Sequence, residues 1–174
     1  MKSFSRAGAP GDRLKPPPPA PDAMKPAAGA EGFEVREARP ADIANGLLET
    51  LGHLSDLEGI TAAEGRAVLR EMKRAGIYRL LVACSKDGSV VGATTLLVER
   101  KLIHRGGRVG HVEDVAVRVG FEGKGVGRSL VEAAVEAARD QGCYKCVLDC
   151  REGLVGYYGR LGFRRHDVGM RLDL

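Results

Sequence analysis

Nine residues, Gly120-Phe121-Glu122-Gly123-Lys124-Gly125-Val126-Gly127-Arg128, constrain this chain more than any other stretch. An apolar run, Val109 to Val117, precedes them, and Val126, Leu130, Val131, Ala134, Val135 and Ala138 continue beyond them at amphipathic-helix spacing. Strand, glycine-rich turn and helix in succession make half of a βαβ crossover. Glycines let the backbone approach a ligand, and unpaired N–H groups at a helix start face anions. Lys124 and Arg128 add positive charge. The stretch suits a pyrophosphate, with a plain glycine-rich turn and helix cap as the alternative. It is neither of the two common phosphate loops: no Lys-Ser or Lys-Thr pair follows Gly125, and Leu130 stands at the third glycine position of G-x-G-x-x-G.

Around this stretch the chain alternates between strand and helix patterns. Phe33–Arg36 alternates like a short strand, and Pro40-Ala41-Asp42 predicts a helix start, with Ile43, Leu47, Leu48 and Leu51 at helical spacing. Thr61 and Glu64 have capping-box spacing ahead of Val68, Leu69 and Met72, and Gly76 ends that helix. Tyr78–Cys84 and Val90–Val98 flank the turn Lys86-Asp87-Gly88-Ser89 as a hairpin. Arg100–Gly107 reads as a loop, Lys145–Leu148 as a strand and Val155–Leu161 as a short helix; two short strands are expected after Gly162. The fold class is α/β with a mixed sheet, an antiparallel meander first and a βαβ crossover later. Residues 1–32 hold seven of the eight prolines, including Pro16–Pro19. They are expected to form a disordered tail ahead of a domain at 33–174, with a transit or docking segment as the alternative.

Composition narrows the function. The chain has no Trp, four Phe and four Tyr, so the stacking platform of a single-strand nucleic-acid binder is missing. A net charge of +4 suits an anionic small molecule at least as well as a polynucleotide. No apolar run is long enough to span a membrane. Four cysteines without a secretory leader point to reduced thiols and a cytoplasmic setting.

Glu113 and Asp114 interrupt the apolar strand His111–Val117. Strand neighbours face opposite sides, so at least one acid turns toward the core or a cleft, where it needs a partner or a task. Asp149, at the end of Cys146-Val147-Leu148, is a third candidate. Of Tyr157 and Tyr158, one is expected to pack and the other to present its hydroxyl. The histidines lack ligand-spaced partners and Cys143-x-x-Cys146 has no second pair, so no metal is expected and these thiols read as structural.

The segments Val98-Glu99-Arg100-Lys101-Leu102-Ile103-His104, Gly110-His111-Val112-Glu113-Asp114-Val115-Ala116-Val117, Gly142–Cys150 and Tyr157–Phe163, with the glycine loop, resemble the GNAT superfamily of acetyl-CoA-dependent N-acetyltransferases. Within it they resemble the eukaryotic-type glucosamine-6-phosphate N-acetyltransferases most, from about Gly32 onward. The resemblance implies direct acetyl transfer to the sugar amine in a ternary complex, feeding UDP-N-acetylglucosamine synthesis. It implies Glu113, Asp149 and Tyr158 as catalytic residues, the last protonating the departing thiolate. It implies that the backbone of Val115, Ala116 and Val117, with Gly123, Lys124, Gly125, Val126, Gly127 and Arg128, holds acetyl-CoA. Lys101, Leu102, Ile103, His104, Glu113, Asp114, Tyr144, Lys145 and Asp149 match substrate-site positions, with Arg171 as a substitute for a further one, and a homodimer with sites near its interface is implied.

Three residues depart from the pattern. Glu122 stands where Gln or Arg is usual, Leu154 replaces a common Asn, and Asp173 falls near the place of a terminal basic residue, for which Arg171 is the substitute. An N-acetyltransferase for another amine and a non-catalytic acetyl-CoA-binding module are the competing readings. Lys101, His104 and Lys145 oppose a polycationic substrate.

Overall fold

The computed structural model describes residues 32–173. The proposed N-terminal tail, apart from Gly32, lies outside the described residues. Five strands, β1 (Phe33–Glu37), β2 (Tyr78–Ser85), β3 (Val90–Arg100), β4 (Arg108–Val117) and β5 (Cys143–Val147), form one sheet in sequence order. β1 to β4 pair antiparallel, and β4 pairs with β5 in parallel across a crossover helix. The mixed α/β sheet of meander plus βαβ unit is thus the one expected.

The helices are α1 (Leu47–Gly52), α2 (Ala62–Ala75), the single distorted turn α3 (Ile103–Gly106), α4 (Val126–Asp140) and α5 (Val155–Arg160). α2 starts at the expected capping box: Glu64 N–H donates to Thr61 Oγ1 at 3.3 Å, and Thr61 N–H donates to Glu64 Oε2 at 2.8 Å. Gly76, at φ 70°, ends it.

Both faces of the sheet are covered, so β2 is apolar on both sides. Leu81 and Ala83 pack with Val91, Leu96, Val126, Leu130, Ala134 and Ala138 under α4. Val82 and Cys84 pack with Ile43, Leu47, Leu69 and Val90 under α1 and α2. α4 sits close to β3 because Gly92 lacks a side chain. A Cβ there would come within 2.5 Å of Val126 Cγ1 and 2.8 Å of Leu130 Cδ1.

Two expectations are corrected. The helix read from Pro40 is two pieces, a 3-10 turn (Pro40–Ile43) and α1, separated at Gly46, whose φ of 102° no helix residue adopts. Buried Asp42 accounts for the break: it bonds both Arg36 nitrogens, at 2.7 and 2.8 Å, and the Arg39 N–H at 2.6 Å, so the turn is tied to β1. The two strands expected after Gly162 do not form among the described residues. The period-two pattern is there, in Val168, Met170 and Leu172, but all three side chains are exposed and no strand among the described residues lies beside them. Arg171 therefore stands on no strand face. It pairs with Asp173, Nε to Oδ1, at 2.6 Å.

Candidate active site

The site begins where β4 and β5 part. Their pairing runs from Arg108↔Cys143 to His111↔Val147 and stops, while β4 continues to Val117 against β3. From Val112 onward β4 therefore has an edge without a strand partner among the described residues. At the same level β4 carries a bulge. Glu113 pairs with Thr95 and Ala116 with Ala93, so Asp114 and Val115 together oppose Thr94. Asp114 takes φ 52°, which a non-glycine residue holds only at a cost of about 1–3 kcal/mol. Buried Thr94 locks the bulge by donating Oγ1–H to the Glu113 carbonyl at 2.9 Å.

The bulge turns consecutive acids to the opening. Glu113 and Asp114 are both exposed, so the carboxylates face solvent rather than the core. Loss of solvent pushes the Glu113 carboxyl above its ordinary range; His111 opposes this, and the nearby charges of Asp114 and Asp149 add to it. Glu113, Asp114 and Asp149 thus form one acidic group, with the chain passing Asp149 at Gly169, where a Cβ would lie 3.6 Å from Asp149 Oδ1.

Tyr158 closes the other side. It is buried with Val131 and Leu161, and Val115, Leu148 and Tyr157 pack against them. Val115 follows the acidic pair on β4, and Leu148 precedes Asp149. Tyr157 and Tyr158 meet edge to face at 5.0 Å, and Tyr158 meets Phe163 at 6.1 Å. Burial, then Tyr157 and Cys150, push the Tyr158 phenol up, so it keeps its proton at neutral pH.

The glycine loop lies just beyond β4. Gly123 and Gly125 take φ 72° and 86°, values that Cβ-bearing residues rarely adopt. α4 begins after Gly125 with no side-chain cap, leaving its first N–H groups open to an anion. Lys124 sits over the Phe121 ring at 4.9 Å, and Arg128 projects from the first turn of the helix. Glu122 folds back to accept the Gly120 N–H at 2.6 Å. The carboxylate is thereby held within the turn preceding the loop. Leu154 is exposed, as is Cys150. Burial raises Cys143, and pushes the Cys146 thiol up to about 11, so the Cys-x-x-Cys pair is a poor source of thiolate.

The remaining site residues lie elsewhere. His104 and Tyr144 rings meet at 4.7 Å, and Lys145 Nζ lies 5.9 Å from the Tyr144 ring centre. Leu102 and Ile103 stand exposed on the adjoining turn, where His104 itself adopts φ 52°. Lys101 pairs with Glu99 at 2.5 Å, and Glu99 reaches His111 Nε2 at 2.9 Å. Lys145 pairs with Val109, four residues before Glu113, so Lys145 and Glu113 stand about 13 Å apart along the strand. Lys101 is linked more closely, through Glu99 to His111, whose charge acts on Glu113. Sequence reasoning missed Thr94 and Glu99 as site supports; Glu99, a charge ending an apolar strand, was the readable signal.

An open βαβ crevice, a bulge presenting acids, an uncapped helix start and a buried tyrosine define an acyl-transferring N-acetyltransferase site. The Acetyltransferase (GNAT) family profile matches residues 54–163, and the chain belongs to that family, whose members take their acetyl group from acetyl-CoA. It is 38% identical over 163 residues to the glucosamine 6-phosphate N-acetyltransferase 1 of Oryza sativa subsp. japonica, covering 91% of this chain and 99% of that one. It is 36% identical over 142 residues to the glucosamine 6-phosphate N-acetyltransferase of Trypanosoma brucei brucei, covering 82% and 96%. The crystal structure of the Arabidopsis thaliana glucosamine-6-phosphate N-acetyltransferase superposes with a TM-score of 0.79 at 28% identity, over 82% of this chain and 99% of that one.

Proposed function

We propose that this protein transfers the acetyl group of acetyl-CoA to the amine of glucosamine 6-phosphate, giving N-acetylglucosamine 6-phosphate and CoA. The acidic group of Glu113, Asp114 and Asp149, beside buried Tyr158 and the open end of α4, carries the reading. The chain's own features fit the coenzyme: the uncapped N–H groups of Val126, Gly127 and Arg128 suit a pyrophosphate, and the unpaired edge of β4 at Val115–Val117 suits an extended, amide-bearing arm. Acetyl-CoA supplies the acetyl group as an activated thioester.

The residues then divide the proton work. Glu113 accepts the proton that the sugar amine must lose to become a nucleophile, and desolvation, by raising its pKa above that of a free carboxyl, makes it a stronger base. Asp149 lies close enough to share that charge, and Asp114 holds a sugar hydroxyl. Backbone N–H near Val115 polarises the carbonyl as an oxyanion hole would. Tyr158 holds at Oη the proton that the departing sulfur takes up; its high pKa keeps that proton in place.

The sugar phosphate needs cations, and the Lys101, His104, Tyr144 and Lys145 cluster runs from beside Glu99 and His111 out to Lys145, about 13 Å along the sheet from Glu113. We assign it, with Leu102 and Ile103, to the site of a second copy in a homodimer. The exposed apolar side chains of Leu102, Ile103, Val168, Met170 and Leu172 favour that assembly, and Arg171 at the same terminus is a further phosphate candidate.

The test is thiol release from acetyl-CoA with glucosamine 6-phosphate, glucosamine or a lysine peptide as acceptor. Release that requires the phosphorylated sugar supports the assignment. Equal release with the peptide assigns another amine, and CoA binding without release under any condition assigns a non-catalytic module.

A further inference from the structure

The buried acid nearest the glycine loop has no role in the reading above. Glu132 lies in the second turn of α4, and its side chain is only 9% exposed. One oxygen, Oε1, accepts Arg128 Nε–H at 2.7 Å. The other, Oε2, is out of solvent and has no hydrogen-bond partner among the described residues. An ordinary i,i+4 pair on a helix surface leaves both charges in water and contributes little. Here the acid is enclosed, and a half-satisfied buried carboxylate lowers stability unless something is gained for it.

What it holds is the arginine at the mouth of the phosphate loop. Arg128 is 59% exposed, and its contact with Glu132 uses only the inner Nε. The two terminal nitrogens, Nη1 and Nη2, have no protein partner among the described residues, so they are left as a fork at the uncapped helix start. α5 lies over the same turn: a Cβ on Gly127 would meet Tyr157 Oη at 3.1 Å. The charges of Glu132, Arg128 and Arg160 all act on the Tyr157 phenol, which burial and Glu132 raise.

We infer that Glu132 is a positioning residue for the coenzyme diphosphate: it clamps Arg128 by Nε so that the guanidinium's outer edge is presented to the anion. The inference rests on the proposed function only for the coenzyme, not for the sugar. It predicts an effect confined to acyl donors that carry the diphosphate.

The experiment is calorimetric titration of CoA into wild type, Glu132→Gln, Arg128→Met and the double variant, with steady-state kinetics on acetyl-CoA and on S-acetylpantetheine, which lacks the diphosphate. Glu132→Gln is expected to weaken CoA binding about two- to fivefold, the scale of one such pair. The loss in kcat/KM is expected to be larger for acetyl-CoA than for S-acetylpantetheine by the same factor. The double variant should bind CoA no more weakly than Arg128→Met alone. Equal losses for both donors, unchanged CoA affinity, or full additivity in the double variant would each overturn the inference. The double variant also guards against a Glu132→Gln protein that folds poorly, since it removes both charges together. Because the titration needs no acceptor, a wild type that binds CoA but acetylates no sugar phosphate overturns the substrate assignment and leaves the Glu132 result standing.

Discussion

Gly92 offers a test of what holds the glycine loop and α4 against the sheet. Its missing side chain is what lets α4 approach β3, because an added Cβ would stand 2.5 Å from Val126 Cγ1, 2.8 Å from Leu130 Cδ1 and 3.2 Å from the Ala116 carbonyl. Gly92→Ala should therefore destabilise by about 1–3 kcal/mol through overpacking, despite the better strand propensity of alanine. Val126→Ala, at a fully buried site, deletes two methyl groups and leaves a cavity, a loss of about 2–3 kcal/mol. The two changes compensate each other, since the new methyl enters the space that Cγ1 vacates. The double variant should be less destabilised than the sum by at least about 1 kcal/mol, against the ~0.5 kcal/mol within which independent sites add. Urea unfolding of the four proteins, with unchanged m-values, reads the coupling from the midpoints. Additive midpoints would refute the claim that Gly92 sets the seat of α4; the residual contacts with Leu130 Cδ1 and the Ala116 carbonyl limit the rescue to a partial one.

Tyr158→Phe should lower kcat by about 10²-fold or more while CoA affinity changes little, measured by thiol release and calorimetry; equal loss of both would remove the proton-donor role. If Glu113 is the base, kcat/KM should rise with pH through a value above its ordinary 4.5, and Glu113→Gln should abolish that limb of the pH profile. Folding disfavours the ionised form of this group, so Glu113 makes the protein less stable as pH rises through its raised pKa, and thermal melts of Glu113→Gln should lose that trend. Asp42 behaves in the opposite sense. Burial would raise it, but Arg36 and the Arg39 N–H outweigh burial and hold it below its ordinary range. Its contribution is present above the unfolded pKa and is lost as pH falls through the lower folded value. Asp42→Ala, which strands Arg36, should destabilise by about 3–5 kcal/mol in denaturant melts at neutral pH.

The parts of the fold that were legible in the sequence are those written in local periodicity. β2, β3, β4, α2 and α4 each carry enough consecutive pattern, with capping residues, to be placed from it. The break after Ile43 was not legible because it depends on Asp42 reaching back to Arg36, a contact made only once β1 is in place. The C-terminal strands were misread for a related reason. Val168, Met170 and Leu172 alternate as a strand does, but a strand needs a neighbour, and none is supplied among the described residues. At the site, the paired acids and the glycine loop stood out by composition alone. The bulge at Asp114 and the brace from Thr94 did not, since both arise from the register between strands. The distance between Glu113 and Lys145 was likewise invisible until β4 and β5 were aligned.

The parting of β4 and β5 has a consequence for the lifetime of the protein. Most sheets keep their unsatisfied edges at the periphery, where bulges, charges or covering segments guard them. This one has such an edge in its interior, from Val112 to Val117. A ligand that lies along it acts as a removable sixth strand, and the folded state gains stability with ligand concentration, about 2.7 kcal/mol at a hundredfold excess over Kd. Under the proposed placement of the acyl donor along this edge, the protein's resistance to unfolding is coupled to the concentration of the molecule it consumes.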